Sequence, residues 1–118
     1  MIIAGGSMTN CCEPVAEFID IFLLGDGEES VVELMQLIRA EKKAGAAKDD
    51  IIISVAKKFD FIYVPALYKF EYEGAKIKSF QPKSSGLPVQ FNNAIVEDFE
   101  NAPVPRRVRG APCLNALP

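Results

Sequence analysis

Along this chain apolar residues come in short runs closed by glycine or proline, and the run Ile19-Asp20-Ile21-Phe22-Leu23-Leu24 ends in Gly25-Asp26-Gly27. A near-continuous apolar stretch entering a glycine turn, with a helical pattern directly behind it, predicts a buried parallel strand handing over to a crossover helix. Val31, Leu34, Met35 and Ile38 recur at i, i+3, i+4 and i+7, so they predict a buried helix face, with Glu33, Gln36 and Arg39 on the wet side. Gly25 and Gly27 allow backbone conformations that other residues reach only with strain. Asp26 is placed to accept hydrogen bonds from the first free helix amides, and Glu29, three residues on, completes an acidic capping box. Glu28 and Glu29 suit the positive end of the helix dipole. Gly45 marks the stop, with Lys42 and Lys43 in the last turn.

The same patterning organises the rest. Met1 to Ala4 is a second apolar run, ending in Gly5-Gly6, and predicts a strand entering a glycine turn. Ser7 to Cys12 is polar and irregular; Glu13-Pro14 then opens a short helix, with Val15, Phe18 and Ile19 at helical spacing. Strand, loop, short helix, strand, helix is the order of an α/β fold with parallel strands joined by right-handed crossovers. A first strand so close to the start implies either a small sheet or a piece of a longer chain. In Lys48 to Phe59 the β-branched run Ile51 to Ile53 favours a strand, whereas Ile52, Val55, Ala56 and Phe59 at helical spacing favour a helix; the helix is preferred. Phe61 to Pro65 reads as extended. Tyr68, Phe70 and Tyr72 alternate with Lys69 and Glu71, and Lys76 to Phe80 follows the Glu73-Gly74-Ala75 turn, which predicts a β-hairpin. Beyond Gln81 prolines accumulate, at Pro82, Pro88, Pro103, Pro105, Pro112 and Pro118. That texture predicts an extended segment crossing a surface or leading to another domain.

Composition narrows the chemistry. At 118 residues and 49% hydrophobic content the chain fits one domain with a core of its own. A net charge of −3 gives no electrostatic reason for a nucleic acid partner. No apolar run approaches the roughly 20 residues that span a bilayer, so no membrane partner and a cytoplasmic location are expected. The chain has no histidine, which removes serine–histidine and cysteine–histidine hydrolytic machinery. Three cysteines, two of them adjacent, make neither a disulfide framework nor a structural zinc site.

Ala4-Gly5-Gly6, Glu13-Pro14, Phe18-Ile19-Asp20, Leu24 to Glu29, and Tyr63-Val64-Pro65 with Tyr68 form an ordered set. The set resembles the region just upstream of the catalytic core in a family of uncharacterised radical SAM iron–sulfur proteins, a region similar to a cobalamin-binding-type Rossmann domain. Ile95 to Asp98 and Ala102-Pro103 resemble the connector into the radical SAM barrel. The resemblance implies an α/β fold with a small Rossmann-like, partly flavodoxin-like parallel sheet, crossover helices, an appended β-hairpin and an extended Pro-rich tail. It divides the chain into a domain over 1–80 and a connector over 81–118. It also implies a parent protein that uses a [4Fe-4S] cluster and S-adenosylmethionine, with cobalamin as a further option, and whose radical SAM core is the partner of this region. The chain departs from the family at Ser7, where a proline is usual, and at Cys11-Cys12. It also lacks the C-x3-C-x2-C motif that would ligate the cluster. Radical chemistry therefore belongs elsewhere in the parent, and this chain is expected to act as an accessory domain with no catalytic residue or metal ligand of its own.

Open α/β sheets bind ligands beyond the carboxyl ends of their strands. Gly5, Gly6, Gly25, Asp26, Gly27 and Glu28 are the candidate cofactor-binding residues on that ground. A helix N-terminus behind Gly27 suits an anion or nucleotide tail, while Asp26, Glu28 and Glu29 repel phosphate and favour simple capping. Cys11 and Cys12 are read as inert. Tyr63, Tyr68, Phe70 and Tyr72 are read as a packing face ahead of a platform for a partner or nucleobase, and Arg106, Arg107 and Arg109 as a solvated run ahead of a contact with a negatively charged partner. Two rivals stand beside the accessory reading: a stand-alone nucleotide- or cobalamin-binding module, and a structural oligomerisation domain whose exposed strand edges pair with a second copy.

Overall fold

Three short strands and two helices meet around the run Ile21, Phe22 and Leu23, each of which is almost wholly removed from solvent. A computed structural model of the chain describes residues 1–102. The elements are β1 (Ile3–Ala4), β2 (Ile21–Leu23), α1 (Ser30–Lys43), α2 (Lys48–Lys58), β3 (Ile62–Tyr63), β4 (Tyr68–Glu73) and β5 (Lys76–Pro82). Short 3-10 helices occupy Thr9–Cys11, Glu13–Phe18 and Pro65–Leu67. The fold is mixed α/β with small sheets. Among the described residues no helix is long and apolar enough to cross a membrane.

The parallel Rossmann-like sheet is reduced to one parallel pair. β1 runs parallel to β2 with Ile3 opposite Ile21, whereas β3 runs antiparallel with Phe22 opposite Tyr63. Helix parity accounts for this. A single crossover helix returns the chain to the start of the sheet; here α1 and α2 follow each other across Gly45–Ala47, and the second helix carries the chain back to the far end. The link is a Schellman turn: Gly45, at φ +82°, donates to the Lys42 carbonyl and Ala46 to that of Glu41. Between β1 and β2 the crossover is 3-10 rather than α. Six residues are too few to support an α nucleus, and Val15 and Phe18 face solvent while Ala16 and Ile19 pack on the core.

The buried stripe of α1 differs from the one its periodicity predicts. Ser30, Leu34 and Ile38 are buried, but Val31 and Met35 remain 44% and 41% exposed. The helix is rotated towards α2, and Glu41 on that side accepts a hydrogen bond from Ser54 Oγ at 3.0 Å. Ser30 can be buried because its hydroxyl donates to the Asp26 carbonyl. α2 buries Ile51, Ile52, Val55 and Ala56, as its helical spacing predicts.

The hairpin forms as expected, with Gly74 at φ +61° in the two-residue turn between Glu73 and Lys76. Only its base joins the core. Tyr68 is buried and stacks on Phe80 at 4.7 Å, whereas Tyr72, near the tip, is exposed. The segment after the hairpin returns to the domain more closely than its proline content predicts: Leu87 and Ala94 are buried, and Gly25 and Ala94 form a parallel bridge. Pro103, Pro105, Pro112, Pro118, the arginines 106, 107 and 109, and Cys113 lie outside the described residues.

The edge strand β1 is pinned by a carboxylate. Asp20 accepts the Ile2 amide at 2.6 Å and Lys48 Nζ at 2.7 Å. The Lys48 hydrogen bond and then the Ile2 amide hold its pKa below the ordinary 3.8. A pKa depressed by folding contributes stability above the unfolded value, and that stability is lost as pH falls through the folded value. Replacing Asp20 by Asn is therefore expected to flatten the fall in thermal midpoint below about pH 4. Unchanged acid sensitivity in thermal melts would refute this role.

Candidate ligand cleft at the glycine turns

Because β1 and β2 are parallel, the turns that follow them emerge at the same end of the sheet. Gly6, Gly25, Asp26, Gly27 and Glu28 there line one cleft of about 300 Å³, completed by Ser7, Thr9 and Asn10. Five of the six residues singled out from the sequence thus come together. Gly5 does not line it; a Cβ there would lie 3.9 Å from Leu23. Thr9 is the buried polar residue of the wall, its Oγ1 and its amide both donating to the Gly6 carbonyl, at 2.7 and 3.0 Å. Ser7, Thr9 and Asn10 escaped the sequence reading, although a small polar residue three positions after Gly-Gly is a hydroxyl-turn signal.

The glycines do different work. Gly6 and Gly25 adopt φ +115° and +91°, whereas Gly5 and Gly27 do not take positive φ, so the special conformation expected of Gly27 is not used. At Gly25 a Cβ would lie 2.3 Å from the Ala94 carbonyl oxygen and 2.5 Å from its nitrogen. The position must be glycine for the returning segment to dock: the Ala94 amide donates to Leu24 O and the Asp26 amide to Ala94 O, both at 2.8 Å.

Asp26 does not cap α1, nor does Glu29 complete a capping box. The helix starts at Ser30 with Glu29 in the cap position and no side-chain cap bond. Asp26 lies too far upstream for its carboxylate to serve the first helical amides; Oδ2 accepts the Val96 amide at 3.3 Å instead. Asp26 and Glu28 bring negative charge to the cleft, and among the described residues no Lys or Arg lines it. A phosphate at this helix end would face the carboxylates of Asp26 and Glu28, which disfavour the anion site suggested by the sequence.

A second cavity of about 350 Å³ lies beside it, walled by Pro14, Leu24, Tyr63, Phe80 and Phe91, with Cys11, Cys12 and Glu13 at its margin. Tyr63 Oη donates to Glu13 Oε1 at 2.7 Å, and Tyr68 Oη to the Pro88 carbonyl at 2.8 Å. Burial, then the Glu13 carboxylate, push the Tyr63 pKa well above 10, and burial pushes Tyr68 up to about 12. Groups whose folded pKa is raised contribute stability below the unfolded value and lose it as pH rises through the folded one. Unfolding is therefore expected to advance between about pH 10 and 12, with phenolate absorbance from these two rings appearing together with loss of structure. Full phenolate absorbance while the circular dichroism stays native would contradict this.

Cys11 is exposed and Cys12 half-buried, both as free thiols. Burial and the neighbouring Glu13 raise the Cys12 pKa, which disfavours a reactive thiolate. Among the described residues no group of three or more His, Cys, Asp or Glu is placed to hold a metal ion. The chain has no histidine to serve as a lower ligand of a cobalamin cobalt.

Comparison with known proteins places this chain in a family. No curated protein and no solved structure matches the chain. A family model for the N-terminal region of radical SAM proteins matches residues 1–65, which contain β1 to β3 and both glycine turns but stop short of the hairpin. With more than half of its length matched, the chain belongs to the family of radical SAM protein N-terminal regions.

Proposed function

We propose that the chain is an accessory region that packs on a radical SAM catalytic domain and holds a small ligand in the glycine-turn cleft, without catalysing a reaction itself. The observation that carries this is the convergence of both glycine turns on one cleft, within the part of the chain that matches the family. Exposed Ile95 and Phe99, in the segment leaving the cleft, supply apolar surface for the packing. The [4Fe-4S] cluster and S-adenosylmethionine belong to the catalytic domain in this reading, because the cysteines here lack the ligating spacing. Sedimentation of the chain with the radical SAM catalytic domain of its own protein tests the packing. A stoichiometric complex is expected, and two independently sedimenting species would contradict it.

One observation favours a second reading, self-association. β1 is an edge strand in the three-stranded order β1-β2-β3, with its outer side unpaired among the described residues. Free edges pair with other chains. Light scattering is then expected to give a dimer mass, and a constant monomer mass across a wide concentration range would remove this reading.

A further inference from the structure

We propose that the two adjoining cavities form one site for an uncharged nucleoside, with the amino-bearing base in the aromatic cavity and the sugar hydroxyls at Asp26 and Glu28. The inference rests on the cleft being the ligand end of the accessory region, and it names the ligand class. Thr9 and Asn10 line both cavities, so these meet along one wall. Volumes of about 350 and 300 Å³ together suit a small two-part ligand.

Each half selects by its chemistry. In the first, the Tyr63 and Phe91 rings meet edge-on at 5.3 Å and 72°, and Phe80 lies 6.2 Å from Phe91. Tyr63 is buried against Phe22 and Tyr68, so a flat ring entering the cavity would meet the partly buried Phe91 and Phe80 rings. Glu13 at the margin receives the Tyr63 hydroxyl on Oε1, and among the described residues its Oε2 has no protein donor. An exocyclic amino group on the ring supplies one. In the second half, carboxylates accept from hydroxyls, the pairing that acidic residues make with ribose in dinucleotide sites. Among the described residues neither cavity is lined by Lys or Arg. A phosphate on the sugar would meet the carboxylates of Asp26 and Glu28 with no Lys or Arg beside it among the described residues, so the charge of this wall favours the nucleoside over the nucleotide.

Equilibrium dialysis of the chain against adenosine and cytidine, each paired with its 5′-monophosphate, tests this. Binding of at least one nucleoside is expected, with its monophosphate at least tenfold weaker. The Glu28→Gln change, at an exposed position, is expected to narrow that difference. Phe91→Ala is expected to abolish nucleoside binding; because it could also loosen the fold, it is scored only with a native circular dichroism spectrum, and Glu13→Gln, at the exposed margin, is read beside it as a loss of at least fivefold. Absence of nucleoside binding to the folded chain, or monophosphates binding as tightly, would overturn the proposal. Sedimentation with the catalytic domain in the absence of nucleoside separates the two failures: retained packing without nucleoside binding sinks the ligand class alone, whereas lost packing sinks the accessory reading.

Discussion

Replacing Gly25 by alanine is expected to release the returning segment from the end of β2 and to lower stability by about 2–6 kcal/mol. The new Cβ would stand 2.3 Å from the Ala94 carbonyl oxygen, in a backbone at φ +91°. No rotamer relieves that contact, because the Cβ position is fixed by the backbone. The segment must move, and the two hydrogen bonds through Leu24 and Asp26 break. Strain of about 1–3 kcal/mol for a side chain at positive φ adds to about 0.5–1.5 kcal/mol for each lost bond. Gly27→Ala is the control. Its φ is not positive and its Cβ would lie at an ordinary 3.6 Å from Val31, so a change under about 1 kcal/mol is expected. Urea unfolding of both variants checks the pair, and equal losses would show that the Gly25–Ala94 contact is not what anchors the segment.

Phe22→Ala is expected to cost about 3–5 kcal/mol. Phe22 is 1% exposed, sits in the middle strand, and stacks on the Tyr63 ring at 6.2 Å. Truncation leaves a void on the core face of the sheet beside the Tyr63 ring. A domain of this size holds about 5–15 kcal/mol in total, so the variant should unfold at much lower urea. Phe18→Ala removes the same side chain from a position 72% exposed and should leave the urea midpoint nearly unchanged. A small effect at Phe22 would mean the core is not centred on β2.

What the sequence discloses, and what it hides, follows from how far each signal reaches. The run Ile21 to Leu23 and its glycine turn were legible because burial and turn chemistry are local, and the hairpin was legible from alternation about Gly74. The direction of β3 was not. It depends on two helices rather than one lying between strands, and although helical spacing disclosed the second over Lys48 to Phe59, that spacing does not say which way the strand behind it enters the sheet. The helix face was misplaced towards Val31 and Met35 because periodicity cannot say that α2 draws the stripe round to Ser30 and Glu41. In the cleft, five of six expected residues converge, since both turns follow parallel strands. The role of Asp26 was hidden because its partners, Val96 and Ala94, stand some seventy residues away.

Hydrogen–deuterium exchange of the chain, alone and with the radical SAM catalytic domain proposed as its partner, tests the central claim most directly. Slowed exchange is expected at the amides of Ser7 to Asn10 and Asp26 to Glu28, the two turns of the cleft. Unchanged exchange at those amides, or protection confined to the far end of the sheet, would contradict the assignment of this cleft as the functional end of the domain.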